Sequence, residues 1–168
     1  ISKNAKENID YFPLSVEYEE RFYAAGRIPG SRFIKRETRA SQEAILTGRL
    51  IDRTLRPLFD SSVRNEVQVI ITVLSIDHEN DPDVISMIAA STALATSNIP
   101  WAGPIGATRV GRVDGALVLN PTYAEREKSD MDIVVAGIHG RVNMLEGDAA
   151  ELAEATVVEA ITLAQSYV

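Results

Sequence analysis

Cysteine is absent from the 168 residues, which excludes a disulfide framework and any thiolate-bound metal. Histidine occurs twice, at His78 and His139, each isolated in a turn-like segment. No Ser/His/Asp or Cys/His nucleophile arrangement can be assembled from them, and neither a P-loop nor a dinucleotide fingerprint is present. No apolar run approaches the ~18 residues that cross a bilayer, and the first residues lack a signal-peptide pattern. Aromatic residues make up 6% of the chain. What is there is ordinary for a globular protein: 45% hydrophobic and 24% charged residues, which argues against disorder. The length suits one domain with one core. With no cysteine and no apolar span, a cytoplasmic location is expected. The chain opens Ile1-Ser2-Lys3 without methionine, so a fragment or processed product is expected.

A net charge of −7 taken alone speaks against a polyanionic partner, but its distribution does not. Residues 21–56 hold Arg21, Arg27, Arg32, Lys35, Arg36, Arg39, Arg49, Arg53 and Arg56, against only Glu37, Glu43 and Asp52. One basic face is therefore available to phosphates on an otherwise acidic chain. A solvated basic helix beside acidic neighbours explains the same pattern.

The hydrophobic pattern predicts an α+β chain of order β-α-β-α-β-β-β-β-α, a mixed sheet with packed helices. A strand is expected around 12–18, and loop chemistry over 24–31. A helix capped by Ser41 should end at Pro57 and bury Leu46, Leu50, Ile51, Leu55 and Leu58. The nearly continuous apolar run 67–76 reads as a strand covered on both faces. Asp81-Pro82 starts a helix that runs to about Ser97. Asp114-Gly115 and His139-Gly140 each join two strands as hairpins. Asp148 with Glu151 resembles a capping box, opening a last helix that reaches about Ser166.

Arg49, Arg53 and Arg56 recur at i, i+4 and i+7 on one face of the first helix. Like charges so spaced repel by about 0.2–0.5 kcal/mol per pair, and an anion would relieve them; the guanidinium fork matches phosphate. Asp52 offers the alternative, because it lies three residues after Arg49 and four before Arg56 and can pair with either. The stretch 32–39 mixes cations with Phe33, suited to single-stranded RNA: cations follow the backbone while a ring stacks a base. A Phe33 packed into the core is the other reading. Asp130 and Asp132, two apart at a strand start, would suit a hard cation with waters, or simply end a loop. Gly103 to Gly106 and Gly137 read as close backbone approaches.

Several segments together resemble one known family. They are Tyr11-Phe12-Pro13-Leu14-Ser15-Val16, Tyr23 to Ser31 (YAAGRIPGS), Leu50 to Phe59 (LIDRTLRPLF) and Asn65 to Ile70 (NEVQVI). Further on come Gly103 to Ala107 with Arg109-Val110-Gly111, then Val118 to Thr122, and Asp132 to Gly137 (DIVVAG). In order and spacing, over nearly the whole chain, they resemble the first ribonuclease PH-like core domain of the polynucleotide phosphorylases. The resemblance implies a ribonuclease PH-like fold over 1–168, a single and partial core domain whose further N-terminal strands precede the YFPLSV-like segment. The second core domain and the KH and S1 domains would lie outside this chain.

The resemblance also implies phosphate-dependent 3′→5′ degradation of single-stranded RNA to nucleoside diphosphates, reversible as polymerisation. Inorganic phosphate would be co-substrate and Mg2+ the cofactor, in a homotrimer around an RNA channel, with no membrane or DNA partner. Family phosphate and metal ligands reside mainly in the second core domain, where two aspartates six apart precede a lysine by two. Here Asp132 matches the second aspartate, while Arg126 and Val134 replace the other two, so no catalytic or metal residue is expected and the chain alone should be inactive. What carries over is the RNA path: Phe33, Arg36 and Arg39 from the constriction loop, and Arg49, Arg53 and Arg56 from the helix. Arg32 and Ile34-Lys35 depart from that loop's common pattern. The alternative is a purely structural domain that does not contact RNA.

Overall fold

The structure is a computed structural model and describes residues 1–27 and 40–168. These form two compact units, 1–78 and 79–168. The strands divide between two sheets, one parallel and one antiparallel, rather than forming one mixed sheet.

In the first unit, β1 (Leu14–Glu20) lies parallel to β2 (Val67–Val73), with Leu14 opposite Val67 and Glu20 opposite Val73. The connection carries α1 (Gln42–Leu55), followed by a short 3-10 turn at Arg56–Leu58 that contains Pro57. Ser41 caps α1 as its spacing predicts: its side chain accepts a hydrogen bond from the Ala44 amide and donates one to Glu20. Ala44, Gly48, Ile51 and Leu55, spaced at helical intervals, are buried with Leu50 and Thr54. Leu46, expected in that stripe, is 55% exposed instead. It falls on the far side of the helix from Gly48, which faces Val16 and Tyr18 of β1. Phe12 and Phe59 close the other end of this core, with ring centroids 4.7 Å apart.

A Cβ built on Gly48 would lie 3.5 Å from the Val16 carbonyl oxygen and 3.8 Å from the Tyr18 Cβ, which are ordinary contacts. Gly48→Ala should therefore gain helix propensity without a clash. It is expected to stabilise the first unit by about 0.5–1 kcal/mol, read as a higher denaturant midpoint; a lower midpoint would mean that α1 needs a closer approach.

β2 is covered on one face only. Val67 and Val73 are buried, but Ile70 is 55% exposed and the following Leu74 66%. Around Ile70 the other face is polar, with Gln68 donating to Glu17 and Thr72 to Glu19. Continuous apolarity misleads here because a single helix, α1, packs against this sheet from within the unit.

The second unit is a four-stranded antiparallel sheet of order β4-β3-β5-β6: β3 (Gly106–Val113), β4 (Ala116–Leu119), β5 (Met131–Ile138) and β6 (Arg141–Ala149). Asp114 and Gly115 make the first hairpin turn, both with positive φ (50° and 81°), the geometry such a two-residue turn requires. α2 (Pro82–Ala95) begins at Asp81, which caps the Asp83 amide. Small residues allow it close to the sheet, and Ser91 bonds both the amide and the carbonyl of Ile105. Val110, Met131, Ile133 and Val135 form the opposite core with Ala160 and Ala164 of α4 (Glu154–Gln165).

Two boundaries differ from the sequence reading. Asp148 does not cap the last helix: it lies in β6 opposite Asp132, and α4 starts after Ala153 without a side-chain cap. Continued pairing with β5 outcompetes the capping-box spacing. A short helix, α3 (Tyr123–Arg126), precedes β5, fixed by a reciprocal capping box between Thr122 and Glu125. The expected close approaches are real. A Cβ on Gly103 would fall 2.3 Å from the Trp101 ring, and one on Gly137 2.0 Å from the Arg141 carbonyl oxygen.

Candidate nucleic-acid interface

α1 carries the three helix arginines, and the structure treats them differently. Arg49 and Arg53 are exposed, one turn apart. Arg56 is half-buried and turned into its own unit. Its Nε donates to Asp52 Oδ2 (2.9 Å), and its Nη2 to Asp52 Oδ1 (2.6 Å) and to the Leu14 carbonyl (3.0 Å). Its Nη1 donates to the Phe12 carbonyl (3.1 Å). Four of the five N–H donors of the guanidinium are thereby committed within the chain. Of the two partners that spacing allowed Asp52, it takes Arg56. The fork is filled by a carboxylate and two carbonyls at the entry of β1. Phe33, Arg36 and Arg39 lie outside the described residues.

The second unit buries a charge network that the sequence reading missed. Arg109 on β3 stands opposite Val134, so Asp132, two residues back on β5, is its diagonal neighbour on the same face. Arg109 Nη1 holds both oxygens of Asp132 (2.8 and 2.6 Å), and Nη2 bonds Asp83 in the first turn of α2. From α3, Arg126 reaches Asp81 (2.7 Å) and Asp132 (Nε, 3.0 Å), and its guanidinium lies 5.8 Å from the centre of the Tyr123 ring. Three carboxylates thus face two guanidinium groups, and Arg109 is only 7% exposed.

Burial raises the Asp83 pKa; Arg109 opposes the shift, while the charge of Asp81 adds to it. Tyr123 is raised too, by burial and then by Asp81. For Arg126, burial works against the charge, but its bonds to Asp81 and Asp132 prevail and its pKa is raised. The available signal was Arg109 itself: a cation in the middle of a strand, between Thr108 and Val110, has to find a counter-charge if that strand is buried.

These carboxylates do not offer a place for Mg2+. Asp132 is held by two arginines and one oxygen of Asp130 by Arg112 (2.6 Å), and among the described residues no group of three acidic, histidine or cysteine side chains converges so as to hold an ion. Arg126 fills the space beside Asp132 with a cation.

Comparison with known proteins fits this geometry. Residues 1–100 match the model of the 3′ exoribonuclease family, domain 1, and residues 103–167 that of domain 2 of the same family. The chain belongs to the 3′ exoribonuclease family. It is 54% identical over 168 residues to a polyribonucleotide nucleotidyltransferase of Pelotomaculum thermopropionicum, covering all of this chain and 23% of that protein. A polyribonucleotide nucleotidyltransferase of Thermomicrobium roseum is 54% identical over 167 residues, 99% of this chain and 21% of the relative. The chain therefore spans less than a quarter of the length of these two relatives. The crystal structure of rice Rrp46 superposes with a TM-score of 0.72 over 96% of this chain and 70% of that one, at 14% identity, which shows the shared fold. The fold class expected from the sequence, a ribonuclease PH-like α+β chain, is the one observed. Among the described residues no helix is long and apolar enough to cross a membrane.

Proposed function

We propose that this chain is the RNA-guiding part of a phosphate-dependent 3′→5′ exoribonuclease. In that reaction an oxygen of inorganic phosphate attacks the terminal phosphorus of single-stranded RNA. The bond from phosphorus to the 3′ oxygen of the preceding nucleotide breaks, that oxygen takes a proton, and a nucleoside diphosphate leaves. The observation that carries the proposal is the exposed pair Arg49 and Arg53, on a helix that follows the cation-rich segment 28–39, in a member of a 3′ exoribonuclease family. Two guanidinium groups one helical turn apart can each take a phosphate of a passing strand. Phe33, Arg36 and Arg39 supply a stacking ring and further cations in this proposal.

The reacting groups and the Mg2+ site belong, in this reading, to a second core domain of the same protein, because Asp81, Asp83, Asp130 and Asp132 are each paired with an arginine. The working form is a cytoplasmic homotrimer. A purely structural role is the alternative, favoured by the inward bonds of Arg56.

The test is a binding titration of labelled single-stranded oligoadenylate at several salt concentrations, with phosphorolysis measured in parallel. Arg49→Gln and Arg53→Gln should each weaken binding and reduce the salt slope by about 0.7, the value for one phosphate contact on a single strand. The chain alone should bind without releasing nucleoside diphosphate. Unchanged affinity after charge reversal at Arg36, Arg39 and Arg53 in the full-length protein would instead support the structural role.

A further inference from the structure

We propose that Arg56, together with Asp52, is a positioning residue of the RNA interface and not a phosphate ligand. The inference rests on the RNA-guiding reading above and deepens it. Arg56 lies at the junction of α1 with the 3-10 turn, where a helix has carbonyls to spare and tends to fray. Its fork spans two elements: Asp52, one turn back on α1, and the carbonyls of Phe12 and Leu14 at the start of β1. The Leu14 amide in turn bonds the Phe12 carbonyl, and the Val67 amide bonds the Pro13 carbonyl. The guanidinium therefore holds the end of α1 to the point where β1 enters its pairing with β2. At the opposite end, Ser41 holds the first turn of α1 to Glu20. α1 is thus fastened at both ends along β1, and Arg49 and Arg53 project from the span between.

A phosphate ligand needs donors free to face a strand, and Arg56 has four of five engaged. Asp52 then has a purpose that pure electrostatics would not give it: a carboxylate beside an RNA path repels the ligand unless something else is gained. Here the gain is a bidentate anchor that keeps Arg56 turned inward and the helix in register.

The two roles predict opposite signs for one substitution. If Arg56 binds phosphate, Asp52→Asn removes a repelling charge, releases the fork and tightens RNA binding. If Arg56 positions the helix, Asp52→Asn weakens binding, by about three- to tenfold as the supporting contacts are lost. Arg56→Lys gives the second readout, because it keeps the charge but cannot span a carboxylate and two carbonyls. It should weaken binding as much as Asp52→Asn, and the double variant should be no weaker than either single one.

The measurement is oligoadenylate affinity in the full-length protein carrying this chain, at a temperature where circular dichroism shows each variant folded. Weaker binding by both variants, without additivity, supports positioning. Equal or tighter binding by Asp52→Asn, or full affinity in Arg56→Lys, overturns it. Arg49→Gln and Arg53→Gln, measured alongside, separate this outcome from failure of the interface itself: if they bind as the parent does, the RNA-guiding reading has failed first.

Discussion

Arg109→Met should destabilise the 79–168 unit by about 3–5 kcal/mol, the usual cost of leaving a buried charge without its partner. In the parent, Arg109 holds Asp83 and both oxygens of Asp132, and its Nη2 lies 3.7 Å from Asp81. Methionine fills comparable volume but donates nothing, so three carboxylates remain beside Arg126 alone. Adding Asp83→Asn removes one of them, and the double variant should be more stable than Arg109→Met by itself. The pH dependence follows from Asp83. Its folded pKa is raised, so its contribution to stability is complete below the ordinary carboxylate range and is lost as pH rises through the raised folded value. Without Arg109 opposing the shift, that loss deepens. The deficit of Arg109→Met should therefore be smallest in acid and grow toward neutral pH. Urea denaturation followed by fluorescence at several pH values reads all three effects. A pH-independent deficit, or a double variant weaker than the single one, would contradict this account of the network.

Gly137→Ala should be the most damaging glycine-to-alanine change among the described residues. The residue sits at the irregularity between β5 and β6, where Gly137 pairs with Val142, and an added Cβ would lie 2.0 Å from the Arg141 carbonyl oxygen. The oxygen belongs to backbone and the Cβ position is fixed by the backbone of its own residue, so no rotamer change can relieve the overlap, and the strands have to separate. We expect a loss of about 4 kcal/mol or more, in the range reserved for named backbone or core defects. Gly140→Ala is the control. Its Cβ would meet nothing within 4 Å, and the cost is only that of placing a side chain at φ 75°, about 1–2 kcal/mol. If thermal melts show the two variants equally stable, the close approach at Gly137 does not limit this hairpin.

The caps and turns were legible in the sequence because they are local: Ser41, Asp81-Pro82 and Asp114-Gly115 act within a few residues of themselves. The errors were made where a distant partner decides. Asp148 and Glu151 have the spacing of a helix start, but β5 was already there to pair with β6. Leu46 continues the helical stripe on paper, yet α1 meets β1 through Gly48 and leaves Leu46 outside. The Thr122–Glu125 box was present in the sequence, but a four-residue helix has no periodicity to reveal it. The arginine stripe was legible as a stripe; which of the three turns inward depended on the carbonyls of Phe12 and Leu14, more than forty residues away.

The parallel pairing of β1 with β2 also bears on how the chain is made. Leu14 meets Val67, so every rung of that sheet joins residues far apart in sequence. On the ribosome, β1 emerges before β2 and stays without this partner until α1 and β2 have been synthesised, whereas the first strand of each hairpin is followed by its partner after a two-residue turn. A strand left waiting is a template for the wrong neighbour. β1 carries Glu17, Glu19 and Glu20 within its seven residues. Those carboxylates repel a second copy of the same nascent strand, and two of them are later satisfied by Gln68 and Thr72 of the correct one.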